Sequence, residues 1–281
     1  MIRPRSIASL ALGLVMALAV VTAPAALAEP GVTQVCKFPD PRFKEISGMA
    51  RSLLHPHVLW LHNDSGGGPL LFAVDERTCA TLATVTIAGV PARDLEGVAV
   101  ARSRSGESII WLGDVGDNRD SWPYLRLHRI LEPAVLSDQT VTPTATYRFT
   151  YPDGPHNTET VMAYGDRVWV VTKQLAHGSL YAVPLKKHGV AIAKKLRAEG
   201  GLVTDGAISP DGARYVLRDY VNAEIVTGLP AGTSLGFFAL PNQAQGEGVT
   251  WTADGKALLI TSERDARLLR VEPAAMPRRA P

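Results

Sequence analysis

Short apolar runs alternate with turn-forming clusters along most of the chain, and no apolar period of 3.6 residues persists beyond two turns, so the pattern predicts a mainly β protein. The runs repeat at a spacing of about 50 residues. Five segments align on their first strands, Ile46–Ala50, Leu95–Val100, Thr158–Ala163, Thr204–Ile208 and Gly246–Trp251. Turns such as Ser209–Gly212, Thr252–Gly255 and Gly165–Asp166 follow, and then second strands at Trp60–Asp64, Trp111–Val115, Trp169–Lys173, Tyr215–Asp219 and Leu259–Glu263. Third strands read as Leu70–Asp75, Tyr124–Ile130, Ser179–Leu185, Ala223–Leu229 and Arg267–Glu272, with outer strands at Cys79–Ile87, Thr140–Tyr151, Val190–Leu196 and Ser234–Leu240.

The fifth segment lacks an outer strand, whereas Val32–Phe38 precedes the first segment and has the length and pattern of one. Pairing the two closes a ring and removes its exposed edges, which predicts a five-bladed β-propeller of four-stranded blades sealed by the N-terminal strand. A six-bladed ring is the alternative, because the second repeat is long enough to hide further strands. A two-sheet sandwich leaves the fivefold alignment unexplained.

Composition then refines the picture. The 281 residues carry 29 Lys+Arg against 27 Asp+Glu, with 46% hydrophobic residues and two cysteines. Such a balance excludes a disordered tail, a disulfide-packed miniprotein and a strongly basic nucleic-acid binder. The small positive surplus sits at Arg3 and Arg5, ahead of the apolar run Ile7–Val21 and the small-x-small site Ala26–Ala28. This layout predicts a secretory signal peptide over residues 1–28, followed by one propeller domain over 29–281. Thr22 and Pro24 interrupt the run and argue against a membrane anchor. A secreted chain, or a periplasmic one where an outer membrane exists, makes a Cys36–Cys79 disulfide the default reading, with metal or catalytic use of the pair as the alternative. Ring closure would put both cysteines in neighbouring blades, beside the seam.

In a blade the start of the first strand and the end of the second share a face, and this face collects the unusual polar residues. Starts supply Glu45, Asp94, Glu96, Glu159, Asp205 and Glu247, and ends supply Asn63, Asp64, Asp114, Asp117, Asn118, Lys173, Arg218, Asp219, Glu263 and Arg264. The equivalent inner position reads Ser47, Glu96, Glu159, Asp205 and Glu247. Four carboxylates near one axis repel one another unless a cation, an arginine or a shared proton offsets them. Ca2+ suits an all-oxygen set outside the cell, and no His or Cys cluster favours zinc. The alternative is a structural set of acids that cap strands, bond backbone amides between blades and pair with Lys173, Arg218 and Arg264. Trp60, Trp111 and Trp169 recur at blade spacing and are expected between blades, whereas Trp122 lies in the acidic loop, just past the carboxylate-rich stretch Gly113–Asp120, and is free to meet a ligand.

The segment Asn63–Leu70 looks like the nucleophile loop of chymotrypsin-type proteases, but the required upstream His and Asp are missing, because His55, His57 and His62 crowd immediately before Ser65. It reads instead as a tight glycine turn. The chain has no Gly-x-Ser-x-Gly elbow, phosphate-binding Gly-x-x-x-x-Gly-Lys loop or His-Glu-x-x-His helix.

The stretches His62–Gly66, Asp94–Val98, Gly113–Asn118 and Gly246–Thr250 resemble a group of secreted bacterial β-propellers of largely unassigned activity, and more distantly phytase-like and lactonase-like propellers. Phytase-like kinship implies a calcium-organised carboxylate cluster acting on a phosphate ester. Lactonase-like kinship implies one divalent metal at the channel mouth, which here would fall to Asn63, Glu96, Asp114 and Glu247. Lys173, Arg218 and Arg264 would then stabilise an anionic transition state, while Asp64, Asp94, Asp117, Asn118, Trp122, Glu159 and Asp205 would contact the ligand. The sequence departs from both families in blade count and ligand spacing. Two functions follow as expectations: a monomeric propeller that binds a small molecule, glycan or protein at its polar mouth, and a metal-dependent extracellular hydrolase of an ester, lactone or phosphoester. Neither involves nucleic acid or a stable membrane anchor.

Overall fold

A computed structural model describes residues 28–274 apart from Ser65, Pro230 and Ala231. The expected export signal lies outside the described residues but for Ala28, where the first strand begins. Among the described residues no helix is long and apolar enough to cross a membrane.

Five sheets, antiparallel but for one edge strand in each of two of them, form a five-bladed β-propeller. Their inner strands, Ile46–Arg51, Leu95–Arg102, Thr158–Tyr164, Asp205–Ile208 and Gly246–Trp251, each contact the next around a closed ring. Each blade is sandwiched between two others, so its middle strands are apolar on both faces. Ser108–Asp114 is buried throughout, whereas the outer strand Thr81–Ile87 alternates between covered and half-exposed positions.

Burial divides into five apolar clusters, one for each seam between blades. Trp60, Trp111 and Trp169 lie in three of these seams, and Trp251 fills a fourth, where its indole donates to the Ala207 carbonyl. The fifth seam is packed by Phe38, Phe43 and Phe72, with Phe43 held edge-on to Phe72.

Closure follows the sequence expectation. Ala28–Lys37 pairs antiparallel with Asp265–Ala274, placing Val32 opposite Val271, so the first and last described strands complete one blade. Cys36 on this strand is bonded to Cys79, which precedes the outer strand of the first blade, with their Cα atoms 5.8 Å apart.

Two outer strands differ from expectation. Thr140–Tyr151 is not one strand: Gln139–Val141 runs parallel to Val85–Ile87 as a fifth strand of the first blade, and only Ala145–Thr150 completes the second. Pro143 lies between the pieces, where a missing amide ends pairing. Val190–Leu196 divides likewise. Val190–Ile192 joins the second blade in parallel beside Arg148–Thr150, and Lys194–Ala198 completes the third. In both places the chain entering a blade's outer edge first covers the free edge of the preceding blade, which blunts that edge against further pairing. The extra residues of the second repeat thus add an edge strand and no sixth blade.

Candidate functional site at the channel mouth

The five equivalent inner residues are all buried at the start of their strands. In four blades the pairing register slips at this residue, between Ile46 and Gly48, Leu95 and Gly97, Thr158 and Thr160, and Gly246 and Val249. A bulge re-aims one side chain out of the pleat, and here the residues at the slips are Ser47, Glu96, Glu159 and Glu247. The fourth blade has no slip, and Asp205 stays in register opposite Arg218. Its carboxylate accepts hydrogen bonds from the Gly206 and Val249 amides, so Asp205 ties the fourth blade to the fifth.

Three acids come close enough together to share one cation. Ligand oxygens of Asp64, Asp94 and Glu96 all lie within 4.8 Å of one another. Two oxygens bound to opposite sides of one Ca2+ stand about 4.8 Å apart, so this set fits a hard cation. The cluster is held from several directions. Ser47 Oγ donates to Glu96 Oε2 at 2.7 Å, and the Asp64 amide donates to the Glu45 carbonyl at 2.9 Å. A Cβ at Gly116 would lie 2.4 Å from the Asp94 carboxyl, so only glycine leaves room for Asp94 there. The turn after Asp64 carries Gly66 and Gly68 at positive φ, as its sequence predicts.

Burial and mutual proximity make these acids reluctant to ionise. Burial, followed by the neighbouring Asp64, pushes Asp94 up to about 7. Burial, with Glu159 and Asp64 adding to it, raises Glu96 well above the carboxylate range. Glu247 is pushed up to about 8, chiefly by burial and then by Glu159, and its Oε2 is buried without a hydrogen-bond partner among the described residues. Glu159 is also raised by burial, although Lys173 Nζ lies 3.0 Å from its Oε1. Burial opposes the charge of Lys173, but Glu159 and Glu247 outweigh it and raise this ammonium.

Other expected residues have different surroundings. Asp114 does not join the three acids: Arg93 and Arg126 hold one carboxylate oxygen at 3.1 and 2.9 Å, and the Asp94 amide holds the other at 3.0 Å. Burial favours its neutral form, yet the amide and the two guanidinium groups keep its pKa below the usual value. Asp114 therefore orients Asp94. Asn63 donates to the Arg42 carbonyl, and its Oδ1 is buried without a partner among the described residues. Asp117 accepts from the Ser121 and Trp122 amides and folds the acidic loop back on itself. Trp122 is exposed at 39%, with the Arg93 guanidinium 4.3 Å above its ring. Arg218 is buried at 1% exposure and donates to the Asp219, Gly248 and Thr261 carbonyls and to Gln243, away from the surface. Arg264 is exposed in the turn between the last blade's second and third strands.

Sequence reading missed Arg93, Arg126 and Asn157. Arg126 lies directly across the sheet from Asp114, a pairing visible only once register is known. Asn157 joins the acidic loop to the ring: its amide side chain donates to Asn118 and Glu159 and accepts from the Asp117 backbone. With Lys173 and Gln174 it lines a pocket of about 240 Å3 beside the mouth.

No family model matches the chain, and no curated protein matches it in sequence. Among solved structures, a chain of a mitotic checkpoint complex aligns over 80% of this chain and 60% of its own length, with a TM-score of 0.42 and 12% identity. A protein from Lactobacillus plantarum aligns over 77% of this chain and 63% of its own, with a TM-score of 0.41 and 18% identity. Myxococcus xanthus glutaminyl cyclase aligns over 88% of this chain and 98% of its own, with a TM-score of 0.54 and 10% identity. At 10% identity the likeness to the cyclase is one of fold, which does not by itself carry chemistry.

Proposed function

We propose that the protein is an exported propeller that seats Ca2+ between Asp64, Asp94 and Glu96 and uses the cation to capture an oxygen-rich small molecule or glycan at the channel mouth. The observation behind this reading is the approach of three carboxylates to within 4.8 Å of one another. Like charges at that separation need a counter-ion or retained protons. A hard cation would replace the protons on Asp94 and Glu96 and leave coordination positions open toward solvent. Asp114 orients Asp94 through its backbone amide, Ser47 orients Glu96, and the pocket lined by Asn157 and Lys173 would give the ligand room on the same face. The Cys36–Cys79 bond supports export to an oxidising compartment.

The test is a calcium titration by calorimetry, with thermal unfolding measured in calcium and in chelator. One ion per chain is expected, with a rise in unfolding temperature that Glu96→Gln removes. An unfolding temperature indifferent to both additions would defeat the reading.

A second reading, a metal-dependent hydrolase of an ester, lactone or phosphoester, rests on Glu247. Its carboxyl, pushed up to about 8, retains a proton at neutral pH and has an unpartnered oxygen, as a general acid requires. Bound Ca2+ would supply Lewis acidity, and Lys173 would offset negative charge on the substrate. Turnover lost in both Glu247→Gln and chelator would favour this reading over simple binding.

A further inference from the structure

The channel changes character along its length. Its inner strands begin with the buried acids, but their far ends are apolar and enclose a second cavity of about 640 Å3 on the opposite side of the ring. All five strands contribute to its wall, through Met49, Val100, Ala163, Ala207 and Trp251. The volume lies within the range of small-molecule sites.

One side of the rim is a fixed apolar lip. Leu53 and Leu54 are each exposed at 41% on the turn after Ile46–Arg51. This turn is pinned from below: Ser52 Oγ accepts from the Leu54 and His55 amides, Glu132 accepts from the Leu53 amide and the Ser52 hydroxyl, and His55 Nε2 contacts the Pro133 carbonyl. Glu132 is itself buried and also accepts from Trp60 and Ser108, so the lip is held without any ligand. A preformed wall binds without the entropy cost of ordering a loop.

The charge at this end opposes that at the mouth. No Asp or Glu lines the cavity, but Arg51, Arg102 and His55 do. Arg51 is neutralised by Glu76. Arg102 is exposed and donates only to the Gly106 and Leu53 carbonyls, with no carboxylate partner among the described residues. An apolar cavity with one uncompensated guanidinium at its lip is complementary to an apolar molecule bearing a single negative charge.

We infer that the far end of the channel is a binding site for a small amphipathic carboxylate, whose apolar body enters between the five strand ends and whose carboxylate meets Arg102. The site is independent of the acidic mouth and of any cation there.

Calorimetric titration of the protein with hexanoate, octanoate and decanoate, all below micelle formation, tests this. One decanoate per chain is expected, each added methylene tightening binding about fourfold. Decylamine should bind more weakly than decanoate. Arg102→Gln, at an exposed position, should weaken decanoate about tenfold while leaving decanol unchanged, the decanol result reporting that the lip keeps its shape without the bond to the Leu53 carbonyl. Val100→Trp should narrow the cavity and weaken binding of both, with circular dichroism confirming the fold. Chelator should change none of these results. The inference is overturned by non-saturating decanoate binding, by a preference for decylamine, or by unaltered decanoate affinity in Arg102→Gln.

Discussion

Ser47 donates its hydroxyl to Glu96 Oε2 across the seam between the first two blades, at 2.7 Å. Ser47 is the one non-acidic residue among the five equivalent inner positions, and its hydrogen bond lowers the pKa of Glu96 against the opposing effect of burial. Ser47→Ala should therefore make Glu96 harder to ionise. Calcium affinity should fall, more protons should be released per ion bound, and stability should drop by about 1 kcal/mol. Titration in two buffers of different ionisation heat measures the proton release. An unchanged release would detach Glu96 from the cation.

Lys173 and Glu159 form a pair that is nearly closed to solvent, with side-chain exposures of 16% and 4%. Lys173→Met removes the cation and leaves a buried carboxyl without its counter-charge. The expected cost at pH 8 is about 3 kcal/mol, shrinking at pH 5, where Glu159 can take a proton. The double variant Lys173→Met with Glu159→Gln should recover much of the loss. Urea unfolding at both pH values provides the measurement.

The raised carboxyls set the pH dependence of the metal-free protein. Asp94, near 7, and Glu247, near 8, keep protons in the folded state that they lose between about pH 4 and 5 when unfolded. Over this window the folded state binds more protons than the unfolded state, so stability falls as pH rises. In chelator the unfolding temperature should decline from pH 5 to pH 8, and saturating calcium should flatten that decline. A metal-free protein that gains stability over the same interval would contradict the buried, protonated cluster.

The Cys36–Cys79 bond spans a sequence separation of 43 residues and fastens the closing strand to the first blade. Chain-entropy arithmetic gives about 4 kcal/mol as its stabilising effect. Cys36→Ala with Cys79→Ala should lose up to that amount, and amide exchange should accelerate first along Ala28–Lys37 and its partner Asp265–Ala274. Uniform acceleration across all five blades would mean that the seam is not the weak point.

The ring was legible in the sequence because its signals are local and repeated. Aromatic residues recur at one point of the second strand, and a glycine follows the inner acid or serine in four blades of five. Val32–Phe38 was recognisable because the last repeat needed a strand. The edge strands were not legible: Thr140 lies in a short polar segment and Val190 in a short apolar one, and the pairing of each is decided by which blade the chain passes on entry. The site was legible as a face but not as a set of contacts. Asp114 and Asp94 are both acids at strand ends, and only register gives Asp114 two arginines while leaving Asp94 beside Asp64 and Glu96.

The glycine that follows Glu96 also sets how closely two blades approach. At Gly97 an added Cβ would stand 2.8 Å from both the amide nitrogen and the Cγ2 of Val161, and 3.1 Å from the Glu159 carbonyl. Two of those atoms are backbone of the next inner strand, so no rotamer change can relieve the clash. Gly97→Ala should cost about 2 kcal/mol or more and push the third blade's inner strand away from the second. Glu159 and Glu96 are carried by those two strands, so calcium affinity should fall together with stability. Gly200→Ala, where the new methyl would meet nothing within 4 Å, is the matched control and should change neither. Paired urea unfolding and calcium titration separate the outcomes. If Gly97→Ala loses stability but keeps full calcium affinity, blade spacing supports the fold and does not tune the mouth.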